Sequence, residues 1–274
     1  MPAIQLDKLK LQTANLAGKV GQPDLFQEDL LELFDHYSNR TFRAGTNTLA
    51  HRISSTYHLP DRVLWQIERD LEPQIHIYDP EQSLILAEAL WSGESLEEKQ
   101  IAIFILGQIP VEVDQPIMET FNRWFLPGLD PDLRMNLVTN GLNRLRQERF
   151  EDWMSLVQQW LASPQDEKHA QAFLALVELL QETGETHLPS VNKIVSGIVL
   201  DTSASLHHEL LTLFRVMVQV SLIETDYLIR EIIRRSDPQN ANHKRLLRKM
   251  IQLFPESEQP EIKRQYLEHF RSSA

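Results

Sequence analysis

Helical segments recur along this chain at a nearly constant spacing, and this spacing limits the fold more than any other feature of the sequence. Apolar residues repeat every three to four positions, as in Phe173, Leu176, Val177 and Leu180, which predicts amphipathic helices and not strands. Predicted helices that open a pair begin near residues 61, 95, 131, 166, 203 and 240, so the pairs follow at intervals of about 34 to 37 residues. This period predicts stacked helix pairs, because a single pair cannot bury its apolar face alone.

Proline residues mark where the helices begin and end. Asp79-Pro80 and Asp130-Pro131 each place a polar capping residue before a proline, which fits the first turn of a helix. Pro110 follows an apolar helical run and predicts a helix end. The predicted helices cover residues 25–38, 46–57, 61–71, 80–92, 95–109, 114–126, 131–146, 150–161, 166–182, 187–200, 203–221, 225–235, 240–254 and 258–270.

These helices predict an all-α fold of one particular architecture. Tetratricopeptide and ankyrin repeats have signatures that this chain lacks, whereas HEAT-like pairs have a loose consensus with Pro or Asp at the turns. We therefore predict a HEAT-like α-solenoid of about six to seven antiparallel helix pairs. Residues 1–24 are predicted to be an N-terminal lead-in, residues 25–60 capping helices, and residues 61–274 a continuous helical-repeat array.

Charge and composition narrow the class of partner. The chain of 274 residues carries 39 acidic and 27 basic side chains, a net charge of −12 that disfavours a DNA partner at long range. It contains no cysteine, which excludes disulfides and thiolate metal sites and favours a reducing compartment. No apolar run is long enough for a transmembrane helix, and the start lacks the pattern of a secretion signal. A cytoplasmic protein without membrane contact is expected.

Motifs for catalysis and for cofactors are not found in this sequence. It has neither a glycine-rich phosphate loop nor a His-Glu-x-x-His motif. The adjacent His207 and His208 would point about 100° apart on a helix, which does not suit them to bind one metal ion. We therefore assign no catalytic residue, no metal ligand and no cofactor from these patterns.

Three tryptophans fall on predicted second helices of successive pairs. Trp124 lies near the end of one such helix, and Trp153 and Trp160 lie seven residues apart on the next. An aromatic row of this kind on the concave helices can stack nucleobases or another planar ligand. It can equally be the packing between helix layers, and the sequence leaves both interpretations open.

Basic residues cluster despite the negative net charge. The segment 230–249 carries seven basic residues against Glu231 and Asp237, and the segment 40–62 carries four arginines against Asp61. Such clusters are either solvated helix faces or a landing patch for nucleic acid. The candidate nucleic-acid-binding residues are Arg40, Arg43, Arg52, Arg134, Arg144, Arg146, Arg149, Arg215, Arg230, Arg234, Arg235, Lys244, Arg245, Arg248 and Lys249.

Two passages resemble a known family. Residues 89–93, Ala-Leu-Trp-Ser-Gly, followed by Leu-Glu-Glu-Lys-Gln-Ile-Ala at 96–102, resemble a passage of the bacterial DNA alkylation repair proteins, which are alkylpurine glycosylases built from HEAT-like repeats. Residues 153–180 resemble another of their repeats. The resemblance covers about residues 40 to 250 and implies a HEAT-like fold and, for an enzyme, a DNA glycosylase-like activity.

The catalytic passage of that family is not matched. The family has Trp-Trp-Asp-x-Val-Asp, where this chain has residues 130–136, and the position of the catalytic carboxylate falls on Met135. The position of a later aromatic of the lesion site falls near Arg215. Asp130 or Asp132 replaces the carboxylate only if the alignment contains a gap.

The predicted second helices supply a separate test of function. In HEAT-like solenoids these helices line the concave face, and here their acidic residues outnumber their basic ones, whereas phosphate binding requires the opposite sign. The sequence therefore favours a non-enzymatic HEAT-like scaffold that binds a protein or peptide on its concave face. The alternative is a DNA alkylation repair-like protein that binds damaged DNA or excises alkylated bases.

Overall fold

The computed structural model describes residues 5–38, 56–110, 114–126 and 128–271. Within these ranges every regular element is helical and no β-strand is present, which confirms the predicted all-α class. None of the helices in this part of the chain has the length and apolar character that crossing a bilayer requires.

Apart from the interval 38–60, most of which lies outside the described residues, the helices follow one another with short connections. Their bounds are α1 Leu6–Ala17, α2 Pro23–Tyr37, α3 Asp61–Ile75, α4 Pro80–Trp91, α5 Leu96–Gln108, α6 Asp114–Trp124, α7 Pro131–Thr139, α8 Asn143–Glu148, α9 Phe150–Leu161, α10 Asp166–Thr183, α11 Leu188–Ile198, α12 His207–Val220, α13 Leu222–Arg235, α14 Ala241–Ile251 and α15 Gln259–Arg271.

Side-chain caps fix several helix starts where the sequence placed them. The Asp79 carboxylate accepts a hydrogen bond from the backbone N–H of Glu81 at the start of α4. At α5 the Ser95 hydroxyl accepts from the N–H of Glu98, and the Glu98 carboxylate accepts from the N–H of Ser95, which forms a capping box. These bonds satisfy N–H groups that have no partner inside the helix.

Several helices differ from their predicted bounds. Helix α1 lies within the predicted lead-in, and α3 continues through Pro73 to Ile75 although its predicted end was residue 71. The predicted helix 131–146 is divided into α7 and α8 by a turn at residues 140–142. The predicted helix 46–57 falls mainly outside the described residues.

Close backbone packing explains the division of the predicted helix 131–146. Helix α5 crosses the turn between α7 and α8 so closely that a Cβ atom at Gly107 would lie 1.8 Å from the carbonyl oxygen of Asn140. A turn at this point lets the two backbones approach, because Gly107 has no side chain to hold them apart. The break thus combines a local helix end at Asn140, which is followed by Gly141, with a close tertiary contact.

Contacts divide the chain into two compact units, Met1–Trp153 and Met154–Ala274, so that the predicted array of residues 61–274 spans a boundary within α9. In the first unit α1, α3, α5 and α7 contact one another in succession, and α2 contacts α4. In the second unit α10, α12 and α14 contact in succession, and so do α11, α13 and α15. Each unit thus contains a row of first helices and a row of second helices.

Candidate binding surfaces

The candidate basic residues differ in what they contact. Arg40, Arg43 and Arg52 lie outside the described residues. In the first unit Arg144 pairs with Glu148 and donates to the backbone oxygen of Gln108 at 3.0 Å, which ties α8 to the end of α5.

Three further arginines of the first unit also make local contacts. Arg149 forms an ion pair with Asp152, and Arg146 donates to the side-chain oxygen of Asn143. The Arg134 guanidinium lies 5.8 Å from the centre of the Phe125 ring, with its buried Nε atom left without a hydrogen-bond acceptor. Carboxylate pairs account for Arg144 and Arg149, and a hydrogen bond to a neutral side chain accounts for Arg146, without a ligand.

Two arginines of the second unit tie neighbouring second helices together. Arg230 forms an ion pair of 2.7 Å with Asp226 and also reaches Gln265 on α15. Arg235 donates to the carbonyl oxygen of Ser196 on α11 at 2.9 Å and lies 3.4 Å from Glu231. These two side chains therefore act as structural bridges between helices.

Helix α14 carries four cations that have no acidic partner. Lys244, Arg245, Arg248 and Lys249 are the charged residues of this helix, which contains neither Asp nor Glu. Among the described residues no carboxylate forms an ion pair with any of the four. Arg245, Arg248 and Lys249 are exposed and Lys244 is half-buried. We call these four residues the α14 cationic face.

Neighbouring helices hold part of this face in place. The Lys244 ammonium lies 5.5 Å from the centre of the Phe270 ring, and the Arg248 Nε atom donates to the Tyr266 hydroxyl at 3.1 Å. Both aromatic residues belong to α15. Cation–π contacts of this kind orient a charged head without neutralising it.

The other side of the α14 cationic face lies beside the start of α12. There the pKa of His207 is lowered by burial and by the charges of Lys249 and Arg245. Burial and these two cations both disfavour a positive charge on the imidazole. The two remaining candidate arginines, Arg215 on α12 and Arg234 on α13, are both exposed. Arg234 also donates to the backbone oxygen of Arg230.

A second surface feature lies on α13, in the row of second helices of the second unit. Ile223 and Tyr227 are 81% and 66% exposed, and they are one helical turn apart on the same face. Large apolar side chains with this exposure on adjacent turns are typical of interaction sites. We call these two residues the α13 apolar patch. Leu267 of α15 is a further exposed apolar residue in this row.

The tryptophan row faces the interior of the protein. Trp124, Trp153 and Trp160 are all buried, so the hypothesis that their rings stack a planar ligand is wrong for the described structure. Trp124 instead stacks on Trp91 at 4.4 Å between ring centres, and Trp153 lies 6.0 Å from Phe150. Packing between helices is the role that their burial supports.

The carboxylates considered for base excision have local surroundings that explain them. The Asp130 carboxylate accepts from the backbone N–H groups of Asp132 and Leu133, so it caps α7. Asp132 itself is exposed in the first turn of α7, where the helix dipole stabilises a negative charge. Within the described ranges no group of three or more His, Asp or Glu residues is arranged to hold a metal ion.

Sequence reasoning did not single out Glu68, a half-buried residue of α3. Burial raises the pKa of this carboxyl to about 7, so it binds a proton in the folded chain at a pH where an exposed glutamate is charged. The same reasoning missed the α13 apolar patch. Helical spacing could have indicated this patch. Ile223 and Tyr227 are four residues apart, and they lie off the stripe of Thr225, Leu228 and Ile232 that α13 buries.

We expect Glu68→Gln to stabilise the protein at alkaline pH. A raised pKa means that the glutamate favours the folded state below about pH 4.5 and loses this contribution as the pH rises through 7. The variant lacks this loss, so its free energy of unfolding should exceed that of the wild type by about 1 to 3 kcal/mol near pH 8. Urea unfolding at about pH 5 and pH 8 measures the difference.

The matched control is Glu72→Gln, which alters an exposed carboxyl one turn further along α3. It should change the free energy of unfolding by less than about 0.5 kcal/mol at either pH, because the side chain is exposed. Equal pH profiles for the wild type and Glu68→Gln would contradict the assignment of a buried, proton-binding carboxyl.

Comparison of the chain with protein-family models, with curated proteins and with solved structures finds no match in any of the three. The function is therefore argued from the surfaces described above.

Proposed function

We propose that the chain is a non-enzymatic HEAT-like α-solenoid that binds a protein partner through its second helices, on what would be the concave face. The succession of contacts among first helices and among second helices in each unit supports the stacked-pair architecture. The α13 apolar patch carries the functional part of the proposal, because it lies in the row of second helices. The lack of cysteine in the sequence supports a reducing, cytoplasmic setting.

The α13 apolar patch has the composition of an interface centre. Tyrosine is among the residues that most often carry binding energy in protein–protein contacts, because it offers a large rigid surface and a hydroxyl. Ile223 adds apolar surface one turn away, and the exposed Arg234 lies further along α13. Covering these side chains with a partner removes apolar surface from water, which favours the complex.

The double variant Ile223→Asp/Tyr227→Asp tests this surface. We expect the immobilised wild-type protein to retain a partner protein from a lysate of its source cells. The variant should bind this partner at least about thirty-fold more weakly, because a buried hot-spot residue contributes about 2 kcal/mol or more. Quantitative mass spectrometry of the retained proteins measures the ratio.

The control is Leu11→Asp/Ile77→Asp, which changes two exposed apolar residues of the first unit and adds the same charge. It should retain the partner at the wild-type level. Equal loss in both double variants would show that added charge, and not the α13 apolar patch, determines binding.

A DNA alkylation repair-like function is the second candidate, and the α14 cationic face is the observation that favours it. Unpaired cations on one helix face can contact phosphates. Within this second candidate, a lesion-binding protein is favoured over a glycosylase for two reasons. Met135 stands at the position of the family's catalytic carboxylate, and Asp130 caps a helix. It predicts salt-dependent binding to duplex DNA and, for an enzyme, release of alkylated bases from methylated DNA.

A further inference from the structure

We propose that the α14 cationic face binds an acidic peptide segment of a protein. This surface lies on a first helix and is separate in the fold from the α13 apolar patch. The inference rests on the proposed function in one respect, that the partner is a protein. Its basis is the concentration of four cations within six positions of one helix that contains no acidic residue.

The α14 cationic face is exceptional in an acidic chain. Arg230 pairs with Asp226 and Arg235 with Glu231, so the neighbouring helix α13 neutralises its own charges at i,i+4 spacing. The sequence carries 39 acidic residues against 27 basic ones, and yet none of the acidic residues in the described ranges pairs with α14. Like charges at i,i+4 positions, such as Lys244 with Arg248 and Arg245 with Lys249, destabilise a helix slightly. A bound anionic group would remove this repulsion.

The geometry of the face suits a short chain of carboxylates. Positions 244, 245, 248 and 249 lie on one side of the helix and span about 7 to 8 Å along its axis. The contacts of Lys244 and Arg248 with α15 hold two of the charged heads, which lowers the entropy lost on binding. Two rows of cations along one and a half helical turns match a few acidic side chains of an extended or helical peptide.

The surroundings of α14 favour a peptide over nucleic acid. A protein that binds duplex DNA through its backbone contacts about six to ten phosphates, whereas this face offers four cations. The adjacent helix α15 mixes acidic and basic residues, with Glu261 and Glu268 among Lys263, Arg264 and Arg271, so it does not extend the face as an unbroken row of cations. A peptide can end, or turn away, at that point.

The test measures binding of a fluorescent peptide of alternating Glu and Asp to the full chain by anisotropy. The charge-reversed variant Arg245→Glu/Lys249→Glu is expected to bind the peptide at least about ten-fold more weakly than the wild type at low salt, because like charges then face each other. The control Lys8→Glu/Lys10→Glu changes the net charge equally on exposed residues of α1 and should weaken binding less than about two-fold. Thermal unfolding by circular dichroism verifies that each variant is folded, and Arg245→Gln/Lys249→Gln replaces the reversed variant if that one does not fold.

Three outcomes overturn this inference: no binding of the peptide by the wild type, equal weakening by the variant and the control, or tighter binding of a random-sequence DNA duplex than of the peptide at equal salt. The last outcome supports the nucleic-acid candidate. The variant Ile223→Asp/Tyr227→Asp should bind the acidic peptide normally. If no cellular partner is retained but the peptide binds, the proposed function fails and this inference stands. If the partner is retained but the peptide does not bind, this inference fails and the proposed function stands.

Discussion

Replacing Trp124 with alanine is expected to lower the free energy of unfolding by about 3 to 5 kcal/mol. Trp124 is 1% exposed, its ring stacks on Trp91 with the ring planes 7° apart, and its indole N–H donates to Glu88. Alanine would leave a cavity between α4 and α6 and would remove a donor from a half-buried carboxylate. Both losses act in the same direction.

Trp65→Ala is the control for this prediction. Trp65 lies on α3, is 55% exposed and has the Arg69 guanidinium 5.0 Å from its ring centre. Its removal should cost less than about 1 kcal/mol, because most of the side chain is already in water. Chemical denaturation followed by far-UV circular dichroism measures both values. Similar losses for the two variants would contradict the burial of Trp124 and revive the aromatic row as a ligand surface.

Gly107→Ala is the second substitution with a large expected effect. The added Cβ atom would meet the carbonyl oxygen of Asn140 at 1.8 Å, which forces α5 and the turn between α7 and α8 apart. We expect a destabilisation of about 3 kcal/mol, the upper part of the range for overpacked sites, because the obstructing atom is backbone and cannot rotate away.

The same substitution at Gly197 should have the opposite sign. Gly197 lies in α11, and a Cβ atom there meets nothing within 4 Å. Gly197→Ala should therefore stabilise the protein by about 0.5 to 1 kcal/mol through helix propensity. Thermal unfolding of the two variants decides the point, since effects of equal sign would contradict the close approach of α5 to Asn140.

Local sequence signals predicted most of the helices because local chemistry determines them. Asp79 before Pro80 and Asp130 before Pro131 specify helix starts whatever the surrounding fold, and the structure has caps at both places. The turn at residues 140–142 is different. Asn140 caps the end of α7 and Gly141 follows it, but the predicted helix continued to residue 146, so one helix was predicted where the structure has two.

The surfaces were predictable only in part. The basic character of residues 244–249 and the i,i+4 carboxylates beside Arg230 and Arg235 are visible in the sequence, whereas the contacts of Lys244 and Arg248 with α15 depend on tertiary packing. The α13 apolar patch was hidden for a local reason. The predicted helix began at residue 225, which left Ile223 in a loop, whereas α13 begins at Leu222 directly after the extended residue Ser221.

The most direct test of the proposed function is the nature of what the α13 apolar patch retains. The material captured on the wild-type protein is compared with that on Ile223→Asp/Tyr227→Asp, with and without nuclease treatment of the lysate. The account predicts a protein that the wild type retains, that nuclease does not release, and that the variant loses. Retention of nucleic acid by the wild type, or the same proteins in equal amounts on both, would contradict it.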